Sequence, residues 1–206
     1  MSGSLVFPQS SPVDAGSSEA RRSASGAVLS CAIGLLAVLL SAAIFGFFYA
    51  WVCSTMWGLD TADPRVAIPA MQAMNASVRN VVFAPAFFGT PFALALTALL
   101  AQRHGRRGAA WFFLAAAITY AGGALTPTLL VNVPMNEALA AVAVPTDLVA
   151  AREIWAGYSG TWQAWNLART VASGVALLLA VAGVAGAAGA ADRRRGSGSG
   201  SNPAGL

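Results

Sequence analysis

Charged residues are absent from four long stretches of this chain of 206 residues. No Asp, Glu, Lys or Arg lies between Arg22 and Asp60, between Arg79 and Arg103, between Arg107 and Glu137, or between Arg169 and Asp192. A helix needs about 20 apolar residues to cross the hydrocarbon layer of a membrane, and each stretch is long enough. The pattern therefore predicts four membrane-spanning helices.

The overall composition supports a membrane location. Hydrophobic residues make up 57% of the chain and charged residues only 10%, whereas an average soluble domain has about 25% charged residues. The formal net charge of +4 comes from arginines clustered beside the apolar stretches, not from a basic face on a soluble domain. The lipid bilayer is the expected surrounding, and nucleic acid is not an expected partner.

Arginine clusters also predict the orientation. Clusters at 21–22, 103–107 and 193–195 would all lie on one side of the bilayer, whereas the alternate loops hold most of the acidic residues. Loops rich in Arg and Lys stay in the cytoplasm. We therefore expect both termini and the short second loop to be cytoplasmic, and the two longer loops to lie on the outer side. The expected location is the bacterial plasma membrane.

The domain organisation follows from these stretches. We expect residues 1–25 to be a disordered cytoplasmic N-terminus, residues 26–191 to be a four-helix transmembrane domain, and residues 192–206 to be a disordered cytoplasmic tail. The predicted fold class is an all-α membrane protein. It is a four-transmembrane-helix up-down bundle with an additional outer helical segment before the fourth span.

Prolines and small residues add detail to the second, third and fourth spans. A helix that begins near Met71 is expected to continue into the second span, where Pro85 and Pro91 remove backbone donors and neighbouring helices must bind the freed carbonyls. The third span is expected to end near Pro127. In the fourth, Gly186 lies in a row of small residues that predicts close helix packing.

An aromatic stripe precedes the fourth span. Trp155, Tyr158, Trp162, Trp165 and Arg169 are spaced by three, four, three and four residues, which on a helix makes one face. An aromatic belt at the membrane surface would explain the rings alone. It does not explain why Arg169 and the neighbouring Asn166 continue toward the membrane, where a polar residue that faces the bundle is a functional candidate.

Two further polar groups flank the spans. Asn132, Asn136 and Glu137 follow the third span, either as simple helix ends or as amides and a carboxylate at the mouth of the bundle. The second group, at the start of the second span, would either join helices by hydrogen bonds or bind a ligand. It consists of Gln72, Asn75, Arg79 and Asn80. Together the groups predict a cavity for a flat, aromatic, hydrogen-bonding ligand.

Metal chemistry is not expected from the sequence. The single histidine, His104, lies in the arginine-rich second loop, and both cysteines, Cys31 and Cys53, belong to the first apolar stretch. Metal sites use imidazole, thiolate or clustered carboxylates. We therefore predict no metal ligands, and no phosphate-binding or dinucleotide-binding glycine motif is present.

The same residues resemble the anthrone oxygenase family of small four-helix membrane proteins. The matching segments are Met71-Gln72-Ala73-Met74-Asn75, the run from Asn132 to Asn136, and the run from Trp162 to Arg169. The resemblance covers roughly residues 30 to 190. It nominates Gln72, Asn75, Asn132, Asn136, Trp165, Asn166 and Arg169 as site residues.

The resemblance implies an activity. Some fungal members of this family are associated with the oxidation of anthrones to anthraquinones by dioxygen, and most bacterial members have no assigned activity. In the implied monooxygenase reaction Arg169 stabilises an oxyanion, Asn166, Asn136, Asn132 and Gln72 orient the substrate, and the tryptophans stack on its rings. Glu137 is the candidate base. No cofactor is expected.

Two other functions remain open at this stage. The chain would be a non-catalytic assembly partner if its polar residues only join helices, or a small-molecule carrier if it binds a ligand without reaction. A small aromatic substrate is the expected ligand of the enzyme. The sequence leaves the oligomeric state and any protein partner open.

Overall fold

The computed structural model describes the backbone of residues 12–198 and the side chains of residues 25, 26 and 28–189. Within that range the protein is helical and has no β-strand. The seven α-helices are α1 (Pro12–Ala50), α2 (Met56–Thr61), α3 (Pro64–Ser77), α4 (Phe83–Arg103), α5 (Arg107–Tyr120), α6 (Val133–Ala140) and α7 (Leu148–Gly198). Three π-helical segments, π1 (Trp51–Thr55), π2 (Ala121–Leu125) and π3 (Thr128–Asn132), lie between them.

Four helical stretches are long and apolar enough to cross a membrane, at Val28–Thr61, Phe83–Arg103, Arg107–Ala140 and Leu148–Gly189. They correspond to the four stretches without charges, and α1, α4, α5 and α7 pack into one bundle. The predicted all-α, four-span fold is confirmed. The additional helical segment before the fourth span is the first part of α7 and is continuous with that span.

The domain limits stay predictions. Helix α1 begins at Pro12, inside the segment expected to be disordered, and α7 continues to Gly198. Residues 1–11 and 199–206 lie outside the described residues.

Helix α3 does not continue into the second span, so that expectation was wrong. Helix α3 is capped at its N-terminus by Asp63, whose carboxylate accepts the backbone N–H of Arg65, and it ends at Ser77. The Arg65 guanidinium also binds this carboxylate and lowers the pKa of Asp63 to about 2. After a turn, the Asn80 side chain accepts the backbone N–H groups of Val82 and Phe83. This capping starts α4 as a separate helix.

Pro91 illustrates how the bundle tolerates proline. It lies inside α4 and cannot donate to the carbonyl four residues earlier, which belongs to Phe87. The buried hydroxyl of Tyr120, on α5, donates to that carbonyl at 2.9 Å. The prediction that a neighbouring helix binds a freed carbonyl is confirmed at this position.

The third span is longer than expected, because the helical path does not stop near Pro127. It continues through π2 and π3 into α6, to Ala140. Pro127 has no backbone N–H to donate, and the wider π turns accommodate its absence. The hydroxyls of Thr126 and Thr128 donate to the carbonyls of Ala121 and Ala124, respectively. Such π-helical insertions re-aim the side chains that follow them.

The close packing of α7 involves a different glycine from the predicted one. A Cβ on Gly183 would lie 2.8 Å from the Phe113 ring, whereas a Cβ on Gly186 would meet nothing within 4 Å. Gly183 therefore permits the contact between α5 and α7. In the short second loop, Gly105 has a φ of 72°, a conformation that glycine adopts without strain.

Candidate functional site

A cavity of about 520 Å³ lies at the end of the bundle where residues 56–82 and 133–147 connect the spans. We call this end the long-loop end. The lining comes from α1, π1, α3, α4, π3, α6 and α7, and from the turn between α3 and α4. Arg79 and Asn80 of this turn are exposed, and we call this part of the lining the mouth. The volume suits a small organic ligand.

Aromatic rings form most of the apolar wall. Phe83 stacks on Phe87 with ring centroids 5.3 Å apart, and Phe47 lies 4.8 Å from Phe83. Phe47 also contacts the ring of Trp51, which lies 5.1 Å from that of Trp162. Such surfaces bind the faces and edges of flat ring systems.

Arg169 places a charge against these rings. The residue is only 4% exposed, and its guanidinium carbon lies 4.6 Å from the centroid of Phe48 and 5.4 Å from that of Trp162. Its Nη2 donates to Asn166 Oδ1 at 2.9 Å and its Nη1 to Thr128 Oγ1 at 3.1 Å. Nε has no hydrogen-bond partner among the described residues.

The Arg169 charge has no counterion in the described part of the chain. The ion pairs found there are Arg65–Asp63 and Arg79–Glu137. A buried charge without a counterion is costly, although its hydrogen bonds and the ring faces offset part of that cost. The arrangement favours the binding of a group that carries or develops negative charge.

Asn166 holds the guanidinium in position. Its Nδ2 donates to the carbonyl of Phe48 at 3.1 Å, which leaves Oδ1 to accept from Arg169. Both hydrogen-bonding ends of this fully buried carboxamide are thus used inside the protein. Asn166 therefore acts as a positioning residue, joining α7 to α1.

Asn132 differs from Asn166 in this respect. It is 1% exposed and lines the cavity, yet neither Nδ2 nor Oδ1 has a hydrogen-bond partner among the described residues. It is the last residue of π3. A ligand that offers one donor and one acceptor would satisfy this carboxamide.

Asn136 is the centre of a hydrogen-bond network at the same end. Its Oδ1 accepts from Tyr158 Oη at 2.8 Å and from Trp162 Nε1 at 2.9 Å. Asn75 Nδ2 donates to Tyr158 Oη at 3.3 Å. Asn136, Asn75 and Trp162 line the cavity, and Tyr158 supports them from behind. This network joins α3, α6 and α7.

Seven of the twelve site residues nominated from the sequence line the cavity. They are Asn75, Asn80, Asn132, Asn136, Trp162, Asn166 and Arg169. The amide of Asn80 is nevertheless occupied by backbone, since it also donates to the carbonyl of Ser77. Its role in capping α4 is sufficient to explain it.

Tyr158 lies behind this lining, and the other four nominated residues lie elsewhere. Gln72 Nε2 donates to the carbonyls of Leu139 and Val142, and so caps the end of α6. Glu137 is exposed, pairs with Arg79 at 3.3 Å and does not line the cavity. Trp165 points outward, because the buried face of α7 passes through Asn166 instead.

Trp155, the fourth, is bound to a residue that sequence reasoning missed. Asp60 accepts hydrogen bonds from Trp155 Nε1 at 2.9 Å, Ser159 Oγ at 2.6 Å and Gln163 Nε2 at 2.8 Å. The spacing of the three donors along α7 was a usable signal for one shared partner. Asp60 ties the end of α2 to α7, outside the cavity.

The phenylalanine wall of the cavity and the role of Thr128 could not be predicted from the sequence. The phenylalanines of α1 and α4 belong to uniformly apolar helices. The face toward lipid and the face toward the bundle have the same apolar composition in such helices, so the sequence does not distinguish them. Thr128 resembles the other hydroxyl residues that bond their own helix. Among the described residues, no group of three or more His, Cys, Asp or Glu side chains is placed to hold a metal ion.

This fold and cavity define an all-α integral membrane protein with a cavity near one end of its bundle. The family model described as anthrone oxygenase matches residues 76–179, about half of the chain. The chain belongs to the anthrone oxygenase family, which confirms the resemblance seen in the sequence. The match begins just after Asn75, so the Met71–Asn75 segment lies outside it. No curated protein and no solved structure matches the chain significantly.

Proposed function

We propose that this protein is a cofactor-independent oxygenase whose cavity binds a polycyclic aromatic or phenolic substrate of the anthrone type. The observation that carries the proposal is the buried Arg169 guanidinium, which has no carboxylate partner in the described chain and faces an aromatic cavity. A preorganised positive charge stabilises an anion that forms next to it.

The substrate would lie between aromatic rings. In this proposal Phe87 and Trp162 contact the flat ring system, Arg169 binds the carbonyl oxygen on which charge develops, and Asn132 binds a second oxygen substituent. The amide of Asn132 supports this role because neither of its ends is bound within the described protein.

The reaction balances with dioxygen as the oxidant. The substrate loses a proton from the methylene carbon opposite its carbonyl, which gives a phenolate-like anion. The anion transfers electrons to dioxygen, a carbon–oxygen bond forms, and protonation gives a hydroperoxide. Cleavage of the oxygen–oxygen bond, with loss of the remaining hydrogen on that carbon, leaves a quinone carbonyl and releases one water.

The proton that leaves the substrate needs an acceptor. We propose that Glu137 is the final acceptor, although it does not contact the substrate. No carboxylate or histidine of the described residues lines the cavity, so direct transfer to Glu137 is not supported. We propose that water at the mouth takes the proton and passes it to Glu137, which pairs there with Arg79. The mouth would face away from the cytoplasm, as the arginine clusters predict.

An oxidation assay tests the proposal. Purified protein in lipid nanodiscs is given anthrone and isotopically heavy dioxygen, and quinone formation is compared with a blank without protein. One heavy oxygen atom is expected in the quinone. Arg169→Leu should lower kcat/KM by about 100-fold or more, as loss of an oxyanion donor does. Arg152→Leu is the matched control, since it removes an exposed arginine of the same helix, α7, that does not line the cavity, and should retain most activity. Turnover by Arg169→Leu equal to that of the unaltered protein would contradict the mechanism.

A carrier function is the second candidate. It is favoured by one observation, namely that no carboxylate or histidine of the described residues lines the cavity, because binding without reaction needs no base. The same preparation separates the two candidates. A carrier would bind anthrone or anthraquinone tightly and would leave the rate of anthrone oxidation at that of the blank.

A further inference from the structure

We propose that the ligand reaches the cavity from within the bilayer, through a lateral gap between α4 and π3 that is closed by the side chains of Phe88 and Leu129. The inference rests on the proposed function for the kind of ligand, an uncharged polycyclic aromatic molecule. It adds the route of access and the residues that control that route.

The two residues face both the cavity and the outside of the bundle. Phe88 lines the cavity and is 45% exposed, and Leu129 lines it and is 44% exposed. The wall between them is therefore only one side chain thick. Helix α4 packs along α5, but it makes few or no backbone contacts with π3. The helices are thus already separated at this level.

The outer surface around the gap is apolar. Phe92, one turn after Phe88, is 74% exposed, and Leu130, next to Leu129, is 72% exposed. Both belong to membrane-spanning stretches. With a rise of 1.5 Å per residue, Phe88 lies about 8 Å along α4 from its start, and Leu129 lies about 12 Å along its helix from Glu137. The gap therefore opens toward hydrocarbon.

The mouth differs in that it also carries charged and amide groups. Arg79, which is paired with Glu137, and Asn80 lie there beside Val78 and Val81. An apolar polycyclic molecule partitions into hydrocarbon, where its local concentration is highest beside the lateral gap. The polar mouth serves water and protons. Two routes of different polarity thus lead to one cavity, and rotamer changes of Phe88 and Leu129 would open the apolar one.

The test compares two neighbouring positions on one helix. Leu129→Trp adds bulk in the gap, and Leu130→Trp adds the same bulk on the lipid side, where the residue does not line the cavity. The purified full chain in nanodiscs is mixed with anthraquinone, and association is followed by quenching of tryptophan emission. Leu129→Trp should slow association and dissociation about tenfold and leave Kd within about threefold, because a narrowed route changes rates and not affinity. Leu130→Trp should change neither rate by more than about twofold.

A third variant tests the same route without adding an indole to the cavity. Phe88→Ala widens the gap and should speed association severalfold. A water-soluble anthraquinone sulfonate, which uses the polar mouth, should associate with all three variants at the unaltered rate. Equal rates for Leu129→Trp and Leu130→Trp, no acceleration by Phe88→Ala, or no anthraquinone binding at all would each overturn the lateral route. Turnover plays no part in this measurement. A protein that binds by this route and oxidises no anthrone would retain the inference and lose the proposed function.

Discussion

The same substitution should change the stability of the protein in opposite directions at two asparagines that are equally buried. Asn132 and Asn166 are each 1% exposed. Asn166 makes hydrogen bonds to Phe48 and Arg169, whereas Asn132 makes none within the described chain. Replacement by Leu, which has the same branching and the same number of side-chain heavy atoms, removes both carboxamides. We expect Asn166→Leu to destabilise the protein and Asn132→Leu to stabilise it.

The magnitudes follow from the hydrogen bonds. Asn166→Leu loses one bond between helices, worth about 0.6–1.7 kcal/mol in a membrane, and one to a charged group, worth about 1.5–3 kcal/mol. The two bonds do not contribute their full values together, so we expect Asn166→Leu to lower the free energy of unfolding by about 1–3 kcal/mol. Asn132→Leu relieves an unsatisfied buried amide, which costs about 1–3 kcal/mol. At about 2–4 °C per kcal/mol for a chain of this size, each Tm should move by about 2–12 °C.

The assay is thermal unfolding of both variants in one detergent, without ligand. Asn132→Leu should also lose anthraquinone binding, because the amide that binds an oxygen substituent is gone. A fall in Tm for both variants would refute the reasoning. It would indicate that Asn132 is hydrogen-bonded to water in the cavity and is not free for a ligand.

Three further predictions concern packing, orientation and cofactors. Gly183→Ala should lower stability by about 1–3 kcal/mol, since its Cβ would meet the Phe113 ring, whereas Gly186→Ala should be neutral. Thermal unfolding compares the two variants, and equal shifts in Tm would contradict the packing of Gly183 against Phe113. With both native cysteines replaced, an impermeant thiol reagent added outside intact cells should label a cysteine at Asp63 and not one at Gly105; the reverse pattern would invert the topology. Elemental analysis and visible absorbance of the purified protein should find no stoichiometric metal or flavin, and copper or iron whose removal stops anthrone oxidation would overturn the cofactor-free mechanism.

Some site residues could be read from spacing alone. Trp155, Tyr158, Trp162, Asn166 and Arg169 recur at intervals of three or four residues, and α7 buries that face. Periodicity predicts which residues share a face because the helix is regular. Trp165 was misassigned because it is one residue away from Asn166 and both fit the interval. Only packing against the neighbouring helices decides between them.

The number of spans and the fold class were determined by the sequence itself. Charge-free stretches report the cost of moving charge into hydrocarbon, and this cost depends on each residue and not on its neighbours in space. The tertiary structure alone decided the contents of the cavity. In helices that are apolar all round, the hydrophobic effect does not select an inward face, so Phe48 and Phe87 line the cavity only because of how α1 and α4 pack. Likewise, π3 directs Asn132 into the cavity, while the end of α6 binds Gln72 away from it. Such choices depend on contacts between segments far apart in the chain, which no local pattern contains.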